Sequence, residues 1–299
     1  MTPGPVPSAL YPRVDSVLGL DAGGFHRVAY TEWGDRASSR VVVCVHGLTR
    51  QGRDFDFLAA TLAALGYRVV CPDVPGRGLS DRLPDPQSYA APQYLADMTA
   101  LIARLGVAEL DWIGTSMGGL IGMLLAARAN TPIRRLVLND IGPFIPQAAL
   151  ARIAGYLGAD PLFADMGAAE RYIRAVHAGF GPLADEGWRH MALHSVRADP
   201  GGFRLRYDPA IATAFTAAAE TDAVMWPVWA HIRAPVLVLR GAASDVLTAE
   251  TARLMATGGP DGTGPQARLV EFPAVGHAPA LMDQDQIETV ARWLAEEAL

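Results

Sequence analysis

Short apolar runs alternate with amphipathic stretches along most of the chain. Six short runs are rich in apolar residues and are predicted to be strands: "RVVVCVHG", "YRVVCPDV", "LDWIG", "IRRLVLND", "APVLVLRG" and "ARLVEF". The first contains a continuous apolar run, as expected of a strand buried on both faces of a sheet. Stretches with helical spacing, such as "DFDFLAATLAALG" and "PQYLADMTALIARLG", lie between them and end at glycine. Strands that alternate with helices in this way predict βαβ units and a parallel sheet.

The alternation stops between residues 144 and 229. This stretch holds alanine-rich, helix-like segments separated by glycine and proline, among them "AAERYIRAVHAGF" and "DEGWRHMALHSV". The alternation then resumes and continues to the C-terminal segment "QDQIETVARWLAEEAL". We therefore expect one α/β core domain formed by residues 1–143 and 230–299, with residues 144–229 as a helical insertion. This insertion is called the inserted segment below.

Composition and charge narrow the classes of partner. The chain has 299 residues, 51% of them hydrophobic, and a formal net charge of −6, which argues against nucleic acid and anionic membranes as partners. The N-terminal segment lacks the basic start and apolar core of a secretory signal, and no apolar run is long enough to span a bilayer. We expect a cytoplasmic protein that acts on a small molecule, and we leave open its association into a homodimer.

The segment "DWIGTSMGGLIGMLL" places Ser116 between a predicted strand and a predicted helix. Gly114 and Gly118 complete a G-x-S-x-G pattern, and they leave room for a strained turn and for close packing of strand against helix. The alternative is a glycine-rich turn that contains a serine by chance. The strand–turn–helix context favours Ser116 as a nucleophile.

A serine hydroxyl is a weak nucleophile unless a base takes its proton. His277 follows the last predicted strand, in "EFPAVGHAP", on the side of a parallel sheet where loops gather around a ligand. We therefore expect His277 to be the base. His46, in "VCVHGLT", is expected to be a structural hydrogen-bonding residue and not a second base.

The third member of such a site is a carboxylate that orients the histidine. Asp245 follows a buried strand and lies between Ser116 and His277 in the sequence, which is the Ser…Asp…His order of sites of this kind. Asp140, in "LVLND", follows the preceding strand and would reach the same sheet edge. Asp222 is a weaker alternative near the end of the inserted segment. On sequence order we favour Asp245.

Acyl transfer also needs N–H donors aimed at the developing oxyanion. One is the backbone N–H of Met117, directly after the nucleophile. The loop "VCVHGLT" offers a second, because Gly47 permits the turn and the N–H of Leu48 can then face the site. We expect Leu48 and Met117 to form the oxyanion hole through their backbones.

Five segments resemble the motifs of the α/β-hydrolase superfamily and follow the family's order from about residue 40 to the end. They are "HGL" at 46–48, "PDVPGRGLSD" at 72–81, "GTSMGG" at 114–119, "LRGAASDVL" at 239–247 and "GHAP" at 276–279. The resemblance implies a mostly parallel eight-stranded sheet with helices on both faces and a helical cap inserted after strand 6. It also implies that Ser116 is the nucleophile, His277 the base and Asp245 the acid.

The same resemblance implies an activity. The likeness is closest to carboxylesterase-like and carbon–carbon-bond hydrolase-like members, and a serine in place of an aspartate nucleophile argues against haloalkane dehalogenases and epoxide hydrolases. We expect hydrolysis of a small carboxylic ester through an acyl-enzyme. Cleavage of a carbon–carbon bond in a meta-cleavage-like product, opening of a lactone, and a receptor role on the same fold are the alternatives. No metal or organic cofactor is implied, because H-E-x-x-H and a Cys/His cluster at ligand spacing are missing from the sequence.

The inserted segment should cover the sheet edge and shape an apolar pocket. The side chains expected to line this pocket are Phe144, Ile145, Trp226 and Trp229, and the alternative for each is ordinary packing within the insertion. Arg50 and Arg53, in "LTRQGRDF", could each pair with a substrate carboxylate or form structural ion pairs.

Overall fold

The computed structural model of the chain describes residues 12–296, without the side chains of residues 217 and 218. In chain order its strands are β1 (Arg13–Asp21), β2 (Gly24–Trp33), β3 (Val41–Val45), β4 (Arg68–Pro72), β5 (Leu110–Thr115), β6 (Ile133–Asn139), β7 (Phe144–Ile145), β8 (Val196–Asp199), β9 (Gly202–Leu205), β10 (Ala223–Val224), β11 (Val236–Gly241) and β12 (Arg268–Phe272). Its helices are α1 (Asp56–Ala64), α2 (Ala91–Leu105), α3 (Met117–Ala126), α4 (Gln147–Ala154), α5 (Met166–Val176), α6 (Asp185–Ser195), α7 (Ile211–Ala218), α8 (Trp226–Trp229), α9 (Ala249–Ala256) and α10 (Gln284–Ala295).

An eight-stranded sheet in the order β1-β2-β4-β3-β5-β6-β11-β12 forms the centre of the molecule. The strands from β4 to β12 in this order pair in parallel, whereas β1 with β2 and β2 with β4 pair antiparallel. The predicted mostly parallel eight-stranded sheet is confirmed. The sequence did not predict β1, whose side chains are mostly half-buried or exposed at the edge of the sheet.

Alternate residues of the central strands enter two separate cores, one on each face of the sheet. In β3, Val43 packs in the core that contains side chains of α2 and α3, and Val42 packs in the core that contains side chains of α1 and α10. All five residues of β3 are buried, which explains its continuously apolar sequence. The helices therefore cover both faces, as predicted.

The chain between β6 and β11 forms helices α4 to α8 and two short antiparallel ladders, β7 with β10 and β8 with β9. This stretch is therefore not purely helical. Two backbone hydrogen bonds join it to the loop after β4: Gly78 N–H to Arg206 O at 3.0 Å and Asp208 N–H to Gly76 O at 2.7 Å. The division into a core and a cap stays a prediction, with β7 beginning at its first boundary and α8 ending at its second.

Within residues 12–296, no helix combines the length and the apolar character that crossing a bilayer requires.

Candidate active site

A sharp turn carries Ser116 between the end of β5 and the start of α3. Its backbone angles are φ 51° and ψ −115°, a conformation that is strained for a residue with a side chain. The Ser116 N–H donates to the carbonyl of Asn139 on β6 at 3.0 Å, and the Ser116 carbonyl accepts from the Gly119 N–H at 2.9 Å. These bonds hold the strained turn in place at the carboxyl edge of the sheet.

Close contact between β5 and α3 makes this turn possible. A Cβ at Gly114 would lie 2.3 Å from the carbonyl oxygen of Gly118, and a Cβ at Gly118 would lie 2.0 Å from the carbonyl oxygen of Val45. Any side chain at these two positions would force the helix away from the sheet. The two glycines of the G-x-S-x-G pattern are thus needed for the packing of strand against helix as well as for the turn.

Ser116, His277 and Asp140 form one hydrogen-bonded series. The Oγ of Ser116 lies 3.0 Å from Nε2 of His277, and Nδ1 of His277 lies 2.7 Å from Oδ2 of Asp140. The three residues follow β5, β12 and β6, whose carboxyl ends meet at the same edge of the sheet. The structure therefore brings together the serine and the histidine expected from the sequence, with Asp140 as the carboxylate beside the histidine.

The expectation that Asp245 occupies this place is wrong. Asp140 directly follows β6 in a turn with φ 56°, and its side chain is fully buried. Its Oδ1 accepts from the Gly241 N–H at 2.8 Å, and its Oδ2 accepts from the Ser244 hydroxyl as well as facing His277. These bonds direct the carboxylate at the imidazole. The sequence indicated Asp140 by its position at the end of the buried strand "LVLND". Asp245 was favoured over it because of the order of the residues along the chain.

Asp245 lies four residues past β11 and makes no hydrogen bond to any member of this series. It binds the guanidinium of Arg152 on α4 through two hydrogen bonds of 2.5 and 2.8 Å. Partial burial raises the pKa of the Asp245 carboxyl, but the bonds to Arg152 outweigh burial, so this pKa lies below its ordinary value. Asp245 is thus the carboxylate half of an ion pair between α4 and the loop after β11.

The two expected oxyanion donors flank the serine. Met117 begins α3, and a Cβ at Gly47, the residue before Leu48, would lie 3.7 Å from the Ser116 Cβ. Among the described residues, no acceptor takes a hydrogen bond from the N–H of Leu48 or of Met117. Both N–H groups are therefore available to a ligand, and their role as donors stays a prediction.

Arg77, which the sequence did not single out, contacts both of these residues. Its guanidinium donates to the carbonyl of Leu48 at 2.8 Å and lies 3.6 Å from the Met117 sulfur. It also donates to the carbonyl of Pro75 and to the hydroxyl of Tyr94. Arg77 is completely buried, and none of these partners carries a charge. A buried cation held only by neutral groups is costly to desolvate.

His46 has the structural surroundings expected for it. Its Nε2 accepts from the Val74 N–H at 2.9 Å, and its Nδ1 lies 2.7 Å from the carbonyl of Gly47. Burial lowers the pKa of His46 to about 3, so the ring is neutral near pH 7. It joins the loop after β3 to the loop after β4.

A cavity of about 350 Å³ opens above Ser116 and His277. Its walls are mostly aliphatic and aromatic, and they come from both the sheet edge and the inserted segment. Members from the inserted segment include Ile145, Leu150, Ile153, Tyr156, Val176, His177, Phe180, Ile211 and Phe215. A volume of this size is at the lower end of the range for small-molecule sites, ~300–1,000 Å³.

Of the four side chains expected to line this cavity, Ile145 does so. Phe144, Trp226 and Trp229 do not, and that expectation was wrong. Phe144 pairs with Val224 in the β7–β10 ladder, and a Cβ at Gly259 would lie 3.2–3.3 Å from the rings of Trp226 and Trp229. The two indoles thus pack against the loop after α9, at a distance from the serine.

The two arginines take different positions. Arg50 lines the cavity, but its guanidinium is buried and binds Asp54 at 2.6 and 2.7 Å and Ser195 at 2.7 Å. Arg53 is not among the residues that line the cavity and pairs with Asp56. The structural ion-pair alternative therefore describes both, and the expectation of a substrate contact is wrong for Arg53.

His177, in the inserted segment, is buried and lines the cavity, and the sequence did not single it out. Burial lowers the pKa of His177 well below its ordinary value, and the nearby Arg50 charge acts in the same direction. Its ring packs against Phe180, with 4.9 Å between the ring centres. Helical spacing alone gave no signal that this side chain faces the cavity.

Asp56, His190 and His194 form a group whose potential ligand atoms lie within 4.8 Å of one another. The Asp56 carboxylate is already paired with Arg53 at 2.5 Å, and Nε2 of His190 lies 2.8 Å from the Arg53 carbonyl. The guanidinium thus holds the place that a cation would need. We assign no metal to this group.

A parallel α/β sheet that aligns serine, histidine and aspartate at its carboxyl edge is the arrangement found in serine hydrolases of this fold. Residues 40–181 match the family model described as alpha/beta hydrolase fold. The chain is 46% identical to the 3-hydroxybutyrate-oligomer hydrolase of Cupriavidus necator over 92% of this chain and 95% of that protein. The chain belongs to the α/β-hydrolase family, and the prediction that it is a hydrolase is confirmed.

Two solved structures have the same fold throughout. A putative hydrolase from Rickettsia typhi is 32% identical with a TM-score of 0.88, covering 96% of this chain and 100% of that chain. An alpha/beta hydrolase from Novosphingobium aromaticivorans is 35% identical with a TM-score of 0.81, covering 95% and 99%. The likeness therefore includes the inserted segment as well as the sheet.

Proposed function

We propose that this protein hydrolyses the ester bonds of short hydroxyacid oligomers, such as those of 3-hydroxybutyrate, through an acyl-enzyme on Ser116. The protein is a hydrolase of ester bonds, and the relative from Cupriavidus necator bears the name of an oligomer hydrolase. The observation that carries the proposal is the hydrogen-bonded series of Ser116, His277 and Asp140 at the base of an apolar cavity.

His277 is the base in this proposal, and Asp140 is the carboxylate that orients it. With Nδ1 protonated, His277 donates to Asp140, and its Nε2 accepts the hydroxyl proton as Ser116 attacks the ester carbonyl. The imidazolium then protonates the leaving hydroxyl group, and the acyl group stays on Ser116. Water, activated by His277, releases the acid and restores the serine.

The backbone N–H groups of Leu48 and Met117 hold the oxyanion that forms in both steps. Their geometry supports this, because they flank Ser116 and donate to no other described residue. A donor of this kind stabilises the transition state by about 3 kcal/mol. The apolar walls of the cavity exclude water and strengthen these bonds.

The cavity also supports the proposed class of substrate. A 3-hydroxybutyrate oligomer is a chain of ester groups separated by short aliphatic units, and mostly aliphatic walls suit it. We propose that residues 144–229 act as the cap that selects it. The same three residues could also open a lactone or cleave a carbon–carbon bond, and no observation in the cavity favours either.

Hydrolysis of a linear 3-hydroxybutyrate trimer tests this proposal. Wild type should release monomer and dimer, measured by chromatography, and Ser116→Ala should release neither while unfolding at a similar temperature. A lactone and a dienoic diketone, assayed beside the trimer, are expected to react much more slowly. Equal rates for wild type and Ser116→Ala, or preference for the diketone, would contradict the proposal.

A further inference from the structure

Among the described residues, two arginines line the cavity, and they differ in exposure. Arg50 is 5% exposed, and Asp54 and Ser195 bind its guanidinium. Arg152, on α4 of the inserted segment, has a side chain that is 48% exposed. Both arginines already pair with a carboxylate, but only Arg152 is exposed, so an anionic ligand that enters the cavity can reach its guanidinium.

The partner of Arg152 is also exposed. Asp245 binds Nε and Nη2 of Arg152, and its own side chain is 48% exposed. Nη1 of Arg152 has no hydrogen-bond partner among the described residues. Exposed ion pairs contribute little net stability, because water solvates both charges well when they separate. A ligand carboxylate that offers Arg152 the same two bonds can therefore take the place of Asp245, because the new bonds replace the old ones and water solvates the released Asp245 carboxylate.

This ion pair lies close to the reacting groups. Val246, the residue after Asp245, lines the same cavity as His277, and Tyr156 lines it beside Arg152. The pKa of Asp245 is lowered in part by His277, so the two groups are within electrostatic reach of each other. A carboxylate bound where Asp245 now binds would stand beside the cavity that contains Ser116.

A hydroxyacid oligomer carries one charge along its length. One end is a hydroxyl group, the links are neutral esters, and the other end is a carboxylate. An arginine fork matches a carboxylate with two parallel hydrogen bonds. One cation at a fixed distance from the nucleophile therefore suffices to set which ester link reaches it.

We propose that Arg152 binds the terminal carboxylate of the oligomer in place of Asp245, and thereby sets which ester bond reaches Ser116. The proposal rests on the proposed function and names the part of the substrate that this site recognises. Asp245 holds Arg152 in position while the cavity is empty. The enzyme then prefers oligomers with a free acid end over neutral oligomers of equal length.

A pair of trimers tests this proposal: the free acid and its terminal primary amide, which has the same shape without the charge. For Arg152→Gln we expect the KM of the free acid to rise about tenfold, as loss of one charge-assisted pair predicts. The KM of the amide should stay within about twofold of wild type, and kcat should change little for both. The positions of the products show which ester bond is cut, and this preference should be lost for the free acid.

Two variants serve as controls. Arg174→Gln removes an arginine that pairs with Glu170 and Asp185 on the inserted segment and is not among the cavity residues, so neither KM should change. Asp245→Asn removes the competing carboxylate, so the KM of the free acid should fall or stay the same.

The possible failures can be told apart. If wild type cleaves both trimers, and Arg152→Gln raises both KM values alike or neither, the proposal for Arg152 is overturned and the proposed function stands. If wild type cleaves neither trimer, the proposed function is overturned, and the proposal for Arg152 with it.

Discussion

At the residue scale, the carboxyl group of Asp140 contacts two hydrogen-bond donors in addition to His277. Gly241 and Ser244 each donate a hydrogen bond to it, and its side chain is fully buried. Asp140→Asn keeps the shape of the side chain but places an amide N–H where a carboxylate oxygen faces His277. The histidine then loses the tautomer and orientation that proton transfer from Ser116 needs.

We therefore expect Asp140→Asn to lower kcat by about 10⁴-fold at neutral pH. Asp245→Asn should leave kcat close to wild type, because Asp245 faces Arg152 and not the imidazole. Steady-state kinetics on the trimer, with thermal unfolding of each variant, make the comparison. A large loss of kcat in Asp245→Asn beside an active Asp140→Asn would reverse the assignment.

Arg77 lies behind the two proposed oxyanion donors. It donates to the carbonyl of Leu48 and contacts the sulfur of Met117, so we expect it to hold the Leu48 backbone and the start of α3 in place. Arg77→Met should lower kcat about tenfold to a hundredfold, which is less than the loss of one donor outright. The KM should change little, since Arg77 does not line the cavity.

The matched variant is Arg77→Lys, which keeps the charge but cannot bond Leu48, Pro75 and Tyr94 together. Partial recovery of kcat would assign part of the effect to the charge. Both variants are compared well below their unfolding temperatures. An unchanged kcat in folded Arg77→Met would show that the residue serves folding alone.

The sequence identified Ser116 and His277 as a pair because each sits in a short motif after a predicted strand. It did not rank Asp140 over Asp245, because both aspartates follow strands that end at the same sheet edge. What separates them is Ser244, whose hydroxyl bonds the Asp140 carboxylate, and Arg152, which binds Asp245 from another part of the chain. Contacts of this kind depend on tertiary packing and leave no periodic signal.

At the element scale, the contact between β5 and α3 determines the geometry of the serine. A Cβ at Gly114 would lie 2.3 Å from the Gly118 carbonyl oxygen and 2.4 Å from the Gly119 nitrogen, and both belong to backbone that cannot turn aside. Gly114→Ala should therefore lower the free energy of unfolding by about 3 kcal/mol or more. Urea unfolding at pH 7 measures this loss.

Gly167→Ala is the control for that experiment. Gly167 lies in the first turn of α5, and a Cβ there would meet side-chain ends only: Oδ1 of Asp165, which caps the helix, at 3.3 Å and a guanidinium nitrogen of Arg171 at 3.4 Å. The higher helix propensity of alanine offsets a small shift of the cap, so this variant should change stability by less than about 1 kcal/mol. Equal effects of the two substitutions would contradict the packing argument.

The buried strands of the sheet were predictable from their apolar sequences, and the partly buried edge strand β12 from its place in the alternation. β3 is buried along its whole length and appears in the sequence as an unbroken apolar run. β1 lies at the edge, pairs on one side with β2, and exposes Val14, Leu18 and Leu20 to solvent. Its polar and apolar positions form neither the alternating pattern of a half-buried strand nor the continuous apolar run of a buried strand, so the sequence did not predict it.

At the scale of the whole molecule, two buried histidines make stability depend on pH. Burial lowers the pKa of His46 from 6.5 to about 3 and that of His177 well below its ordinary value. The unfolded chain takes up protons at both positions as the pH falls below 6.5, whereas the folded chain does not. Stability is therefore full above pH 6.5 and falls as the pH drops toward 3.

His46 should contribute a slope of up to about 1.4 kcal/mol per pH unit over that interval, and His177 should add to the slope in the same direction. Urea unfolding at pH 7.0, 6.0 and 5.0 measures the total slope. His177→Gln removes one of the two groups, so unfolding takes up to about one proton fewer over this range and the slope should become smaller. A slope that is the same in the variant and in wild type would show that His177 is not neutral in the folded protein.

The cavity was the least predictable part of the molecule. The sequence indicated where the inserted segment begins and ends, but only Ile145 among the four expected side chains lines the cavity. Helices α4 and α7 each present one face to it, with Leu150 and Ile211 on those faces, and α5 reaches it only with its last residue, Val176. Which face of a short alanine-rich helix turns inward depends on its neighbours, and the spacing of apolar residues within one helix does not decide it.

The three residues of the catalytic series all come from loops of the sheet, whereas much of the cavity wall comes from residues 144–229. Under the proposed function, bond cleavage and choice of substrate are thus encoded in different stretches of the gene. Recombination or random mutagenesis confined to the stretch between β6 and β11 can change what the enzyme accepts and leave the cleavage chemistry intact. Directed evolution that starts from this chain could therefore produce variants with many different substrates and one unchanged reaction.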